Sequence, residues 1–171
     1  MTTKEPVFSK DTANKKLTVV KTFDAPLAQV WKNWTESALL DQWWAPKPWR
    51  AETKKMDYRE GGFWLYAMIG PNGDTHWCKE SFKTIEAQKR ITSAAVFCDE
   101  AGNANKDFPT MYWKKEFSET GNTTIVTVEM SFDSEADMET ILKMGFREGF
   151  TMGLGNLDQL LSTQATEKAS W

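Results

Sequence analysis

Histidine is almost missing from this 171-residue chain, with His76 the single example, and cysteine is limited to Cys78 and Cys98. A metal knuckle or a disulfide framework needs more such residues at close spacing, so no metal site is expected and reduced thiols are the expected state. No HExxH, P-loop, GxGxxG, nucleophile elbow or Cys/His cluster occurs in the sequence. Metal hydrolysis, nucleotide binding and triad chemistry are therefore without support, and no cofactor is implied. The 21 Lys and Arg are scattered among 24 Asp and Glu, a net charge of -3 with no basic stripe, so nucleic acid is not an expected partner. No stretch reaches the roughly 20 apolar residues of a membrane span, and Met1 to Lys16 lacks the apolar core of a secretory signal. The expectation is a cytoplasmic protein with no membrane partner.

What the chain has in quantity is aromatic residues: nine Trp, ten Phe and three Tyr. Each buried ring needs large complementary space, which makes their placement the informative feature. With 40% hydrophobic and 26% charged residues, the composition fits one globular domain spanning 1–171, with residues 1–15 and 165–171 expected to fray.

Leu17 to Phe23 alternates and is rich in β-branched residues, the pattern of a strand. Asp24-Ala25-Pro26 then reads as a cap followed by a first-turn proline, opening a helix through Leu27, Val30, Trp31 and Trp34. Thr35 is placed to cap a second short helix carrying Leu39, Leu40 and Trp43, which Ala45-Pro46-Lys47-Pro48 stops. From about Arg50 to Phe132 the period changes to two, punctuated by turn residues, which predicts strands near 50–58, 63–70, 75–85, 91–98, 110–118 and 123–132. If the turn near Gln88 is symmetric, Cys78 and Cys98 face each other across two strands. After Phe132, Asp133-Ser134-Glu135 supplies a cap, and one long helix is predicted to about Gln164. Met138, Ile141, Leu142, Phe146, Phe150, Leu154, Leu157 and Leu161 form its apolar stripe. The predicted class is α+β, an antiparallel sheet of about seven strands wrapped around a C-terminal helix, an arrangement that leaves a cavity where the helix does not fill the curve.

The order Phe23-Asp24-Ala25-Pro26, Val30-Trp31, Thr35-Glu36, Gln42-Trp43-Trp44, Asp57-Tyr58-Arg59-Glu60-Gly61-Gly62 and Gly145-Phe146-Arg147-Glu148-Gly149-Phe150 resembles the START-like (SRPBCC) superfamily. More narrowly it is similar to the family of the activator of the heat-shock protein 90 ATPase, over roughly Leu17 to Leu161. The resemblance implies a helix-grip fold of the birch-pollen-allergen type, often with an internal hydrophobic cavity, and links the chain to stress response. Relatives include lipid carriers, hormone receptors, polyketide aromatases and cyclases, and a co-chaperone module, so the fold does not choose a function. Relatives usually carry Gly just before the aromatic at Phe82, where this chain has Ser81.

By that likeness, alternate positions after the double glycine point inward. This selects Trp64, Tyr66 and Met68, joined by Phe82 and Trp113 from later strands and Phe146, Gly149 and Phe150 from the helix, as ligand-binding candidates. The same rings would equally fill a solid core. Gly145, Gly149 and Gly153 recur every four residues, each costing a helix about 1 kcal/mol against Ala. They either widen a cavity or admit bulky rings against bare backbone. His76 and Glu80 are the candidate polar cavity groups, but at about 13 to 14 Å along a strand they form no acid–base dyad. Asp57 and Arg59 either order a ligand or pin a hairpin. The Asp99 to Phe108 loop gates a cavity mouth or merely connects strands. Phe63 and Leu65, at outward positions, suggest self-association as a homodimer or a protein partner. Three functions follow: binding of an apolar or aromatic small molecule, a chaperone-interaction module, or a cyclase- or aromatase-like enzyme acting through one polar cavity residue.

Overall fold

The computed structural model describes residues 5–169, so residues 1–4 and 170–171 of the two ends expected to fray lie outside the described residues. In chain order the elements are β1 (Val7–Asp11), β2 (Lys16–Phe23), α1 (Leu27–Thr35), α2 (Ser37–Trp43), β3 (Arg50–Asp57), β4 (Phe63–Ile69), β5 (Thr75–Glu86), β6 (Arg90–Cys98), β7 (Met111–Thr120), β8 (Thr123–Ser131), α3 (Glu135–Lys143) and α4 (Phe146–Ala169). All eight strands join one antiparallel sheet in the order β1-β2-β8-β7-β6-β5-β4-β3. The predicted α+β helix-grip class is therefore the observed one, with an additional strand at the N-terminal edge. That strand corrects the expectation of fraying up to residue 15: β1 pairs with β2 from Val7↔Val20 to Asp11↔Lys16. Phe8 packs against the core, the Arg147 guanidinium lies 5.2 Å from its ring, and Lys10 pairs with Glu139.

The inner face of the sheet is set by alternation. Leu17, Val19 and Phe23 on β2, Met111, Trp113 and Phe117 on β7, and Val126, Val128 and Met130 on β8 are all buried. Helices α3 and α4 supply Met138, Ile141, Phe150, Leu154, Leu157 and Leu161 against this face. Burying one such side chain is worth about 1.5–3 kcal/mol, so the amphipathic pattern rather than helix propensity holds the helices in place.

The two N-terminal helices start where predicted but are capped differently. Asp24 does not cap α1; the Leu27 amide donates instead to Glu119 Oε2, 2.8 Å away at the end of β7. Thr35 does not cap α2, because its hydroxyl bonds back to the Trp31 carbonyl at 2.9 Å. Ser134 does cap α3, accepting from the Asp137 amide at 3.0 Å, with Glu135 and Asp137 in the first turn where the helix dipole favours negative charge.

The predicted single C-terminal helix is two. Gly145 adopts φ +87°, a conformation open to glycine at little cost, and its amide returns to the Leu142 carbonyl at 3.1 Å to close α3. Gly145 is thus a helix stop and not the first member of a helix stripe. Gly153 is a close approach: a Cβ there would sit 3.2 Å from the Trp44 carbonyl oxygen. Beyond the expected end at Gln164, α4 continues to Ala169.

Cys78 and Cys98 do not face each other. The pairing is symmetric about Gln88 from Glu86↔Arg90 to Thr84↔Thr92, but a bulge between Phe82 and Thr84 shifts it, leaving Cys78 opposite Phe97 and Cys98 opposite Trp77. An odd-residue shift sends the two thiols to opposite sides of the sheet, and both are free.

Candidate functional site

The inner face of β4 to β7, the junction of α3 with α4, and the turn after α2 enclose a pocket of about 220 Å³. Its walls come from Tyr66 and Met68 on β4, Cys78 on β5, Ala95, Val96 and Phe97 on β6, Met111 and Trp113 on β7, and Ile141, Met144, Gly145, Phe146, Gly149 and Phe150 from the helices. Trp44, Pro46 and Pro109 complete it. No lining side chain is charged.

Of the positions selected from the sequence, Tyr66, Met68, Trp113, Phe146, Gly149 and Phe150 lie on this wall. Trp64 and Phe82 do not. Trp64 lies further along β4, stacked on Tyr66 at 3.9 Å, with its Nε1 donating to Thr53 Oγ1 at 2.9 Å. Phe82 packs edge-on against Tyr58 at 5.2 Å. Gly149 does border open space, since a Cβ there would meet nothing nearer than Pro46 Cγ at 3.6 Å. The aromatic positions touch one another around the pocket: Phe150 lies 5.9 Å from Trp44 and 5.7 Å from Trp113, and 5.4 Å from Phe146, with which it stacks. Offset and edge-to-face pairs of this kind add about 0.5–1.5 kcal/mol each beyond their area, which fixes the walls.

The two polar candidates separate. His76 is exposed, stacked on Trp49 at 5.5 Å, and outside the pocket. Glu80 is buried and committed to an ion pair: its Oε2 accepts from Lys115 Nζ at 2.9 Å and from Ser93 Oγ at 2.6 Å. Sequence reasoning does not single out Lys115, yet it is 3% exposed and its ammonium lies 5.8, 5.4 and 5.2 Å from the ring centres of Trp34, Trp44 and Trp113. A signal for it exists, because Met111, Trp113, Lys115 and Phe117 share one parity. Trp44 and Trp113 thus each belong to the pocket wall and to the cage around a buried cation. Among the described residues, Trp34 Nε1, Trp113 Nε1 and the Tyr58 hydroxyl are buried without a hydrogen-bond partner.

Two polar groups do reach the pocket. Tyr66 accepts from Trp44 Nε1 at 2.9 Å and stands opposite Cys78 on the neighbouring strand. Burial pushes the Tyr66 hydroxyl well above its ordinary value and the Cys78 thiol up to about 12, so both stay protonated and the thiol is not a nucleophile at neutral pH.

The remaining sequence candidates are structural or peripheral. Arg59 and Asp57 pair at 2.9 Å on the surface, beside Gly62, where a Cβ would collide with the Asp57 carbonyl oxygen. The 99–108 loop is internally bonded, Asp99 holding the Asn103 amide at 2.8 Å, and Phe108 packs 5.2 Å from Phe97 beside the pocket. Leu65, expected to be an exposed docking position, is 6% exposed, flanked on neighbouring strands by Lys55 and Lys79. Lysine stems cover apolar surface while their ammonium groups stay in water, and the Phe63 ring likewise lies 5.6 Å from Lys55 Nζ and 5.1 Å from Lys79 Nζ. No helix among the described residues is long and apolar enough to cross a membrane.

An antiparallel sheet closed by a C-terminal helix, with an apolar pocket between them, defines a helix-grip protein of the START-like class. Residues 24–162 match the profile of the family described as Activator of Hsp90 ATPase homolog 1-like protein, and the chain belongs to that family. Its fold is similar to that of a protein from Arthrobacter aurescens, at 29% identity and TM-score 0.87, over 92% of this chain and 91% of that one. It is also similar to a Mycobacterium smegmatis protein, at 26% identity and TM-score 0.84, over 91% and 95%. A Nitrosomonas europaea protein at 24% identity shares the fold with TM-score 0.79, over 90% and 98%. No curated protein matches the sequence significantly.

Proposed function

We propose that this chain binds a small, flat, apolar molecule in the pocket between the sheet and the α3–α4 junction. The observation that carries the reading is a space of about 220 Å³ walled by rings and aliphatic groups with no charged side chain. An apolar cavity of about 150 Å³ in another protein accepts benzene, which makes one or two fused rings the matching size here. A ring system as large as an aromatic side chain buries roughly 150–250 Å², worth about 4–6 kcal/mol at 25 cal/mol per Å². That corresponds to dissociation constants on the order of 1 mM to tens of micromolar, the range a titration must cover.

The test is native mass spectrometry of freshly purified protein for a co-purified mass, together with a naphthalene-derivative titration followed by tryptophan fluorescence, since Trp44 and Trp113 stand in the wall. Ala95→Phe, which plugs the space from β6, is expected to abolish binding while leaving the fold intact. Absence of any binding to the unaltered chain removes the reading. The family description supplies the competing reading, an activator of the Hsp90 ATPase. Stimulated ATP turnover on adding the chain to that chaperone, undiminished by Ala95→Phe, would favour it instead.

A further inference from the structure

We propose that the Tyr66 hydroxyl is the recognition point of the pocket and that the ligand is an uncharged flat molecule bearing a carbonyl oxygen, an inference that rests on the binding reading above. The absence of charged lining side chains sets the first half. A charge carried into such a space would be unpaired, which costs several kcal/mol, and the buried Lys115 and Glu80 already neutralise each other.

The second half comes from the hydrogen bonds. Trp44 is wedged among Trp34, Trp43, Trp64, Trp113 and Phe150, so its indole N–H is held on the Tyr66 oxygen at 2.9 Å. Stacking on Trp64 at 3.9 Å prevents the Tyr66 ring from turning away. The hydroxyl proton remains to be donated, and its neighbour in the wall is Cys78, paired with Tyr66 across β4 and β5, whose sulfur is a weak acceptor that a carbonyl oxygen readily outcompetes. Receiving one hydrogen bond strengthens the hydroxyl as a donor of the next. What Tyr66 offers this pocket is thus a donor, and the complement is an acceptor.

The experiment compares 2-acetylnaphthalene with 2-isopropenylnaphthalene, which replaces the carbonyl oxygen by a methylene of similar shape, on the unaltered chain and on Tyr66→Phe. The preference for the ketone over the hydrocarbon is expected to fall about five- to tenfold when the hydroxyl is removed, the worth of one hydrogen bond. The hydrocarbon should bind both proteins within about twofold, which also shows that the variant is folded. An unchanged preference with intact hydrocarbon binding overturns the proposal and leaves the pocket reading standing. Failure of both probes on the unaltered chain overturns both. Should Tyr66→Phe fail to fold, Cys78→Ala removes the thiol that competes for the proton and is expected to raise the ketone preference; no change there overturns the proposal.

Discussion

Lys115 and Glu80 are two charges placed on strands that otherwise turn rings toward the core, and the interior must compensate them. Removing an ammonium and a carboxylate from water costs several kcal/mol each, and their mutual attraction offsets this only when the geometry is good. Here the carboxylate takes two short hydrogen bonds, from Lys115 at 2.9 Å and Ser93 at 2.6 Å, while the ammonium faces three indole rings whose π density favours it. Glu80→Gln leaves the ammonium without its counter-charge and is expected to lower stability by about 3–5 kcal/mol in urea unfolding. Lys115→Met should cost a similar amount. The double variant Glu80→Gln/Lys115→Met is expected to be more stable than the sum of the singles by about 2 kcal/mol or more. Strict additivity would show that the two groups do not stabilise each other. At this scale strand parity makes much of the wall legible, since it places Tyr66, Met68 and Trp113 on the inner face. It cannot separate Trp64, which shares that parity and stacks on Tyr66 but lies further along β4, outside the pocket, because alternation does not tell where along a strand a cavity ends. Lys115 escapes sequence reasoning because a lysine at an inward position needs a partner two strands away, and that pairing depends on register.

Elements are legible in the sequence where one physical signal dominates and poorly so where two compete. The apolar stripe through Met138, Ile141, Phe150, Leu154, Leu157 and Leu161 is buried as expected, yet the same run conceals a break, since a glycine within a helical pattern looks alike whether it stops a helix or makes room beside it. Conformation separates the two cases. Gly145 has φ +87°, so Gly145→Ala forces a side chain into the left-handed region at a cost of roughly 1–2 kcal/mol. Gly155 is helical and exposed, and a Cβ added there would meet no atom within 4 Å, so Gly155→Ala is expected to stabilise by about 1 kcal/mol through helix propensity. Thermal and urea unfolding of the two variants should move in opposite directions; a shift of the same sign in both would contradict the assignment of Gly145 as a helix stop. The expected cysteine pairing fails for a related reason. The turn is centred on Gln88 as its sequence suggests, but the bulge near Lys83 has no composition of its own, and one extra residue sends every later side chain to the other face.

For the whole molecule, short turns leave the consecutive strands from β3 to β6, and β7 with β8, little choice but to pair, whereas the β2–β8 pairing that joins the two ends of the chain is long-range and is not set by any turn. The N-terminal strand escapes notice because Val7–Asp11 lies at an edge with mostly exposed side chains, so burial imposes no alternation on it. Its contribution is to the assembly of the sheet: it covers the backbone edge of β2, tucks Phe8 against the core and ties α3 through Lys10 and Glu139. A chain starting at Thr12 would leave β2, eight residues long, as an open edge able to pair with another copy. Loss of the half-buried Phe8 and the strand ladder is expected to lower stability by about 2 kcal/mol, which for a domain of this size lowers the melting temperature by about 4–8 °C. The shortened chain should also scatter light increasingly with concentration on heating, in contrast to the full chain. A melting temperature equal to that of the full chain, with no concentration dependence, would mean that β1 merely rests on the sheet and that the β2 edge needs no cover.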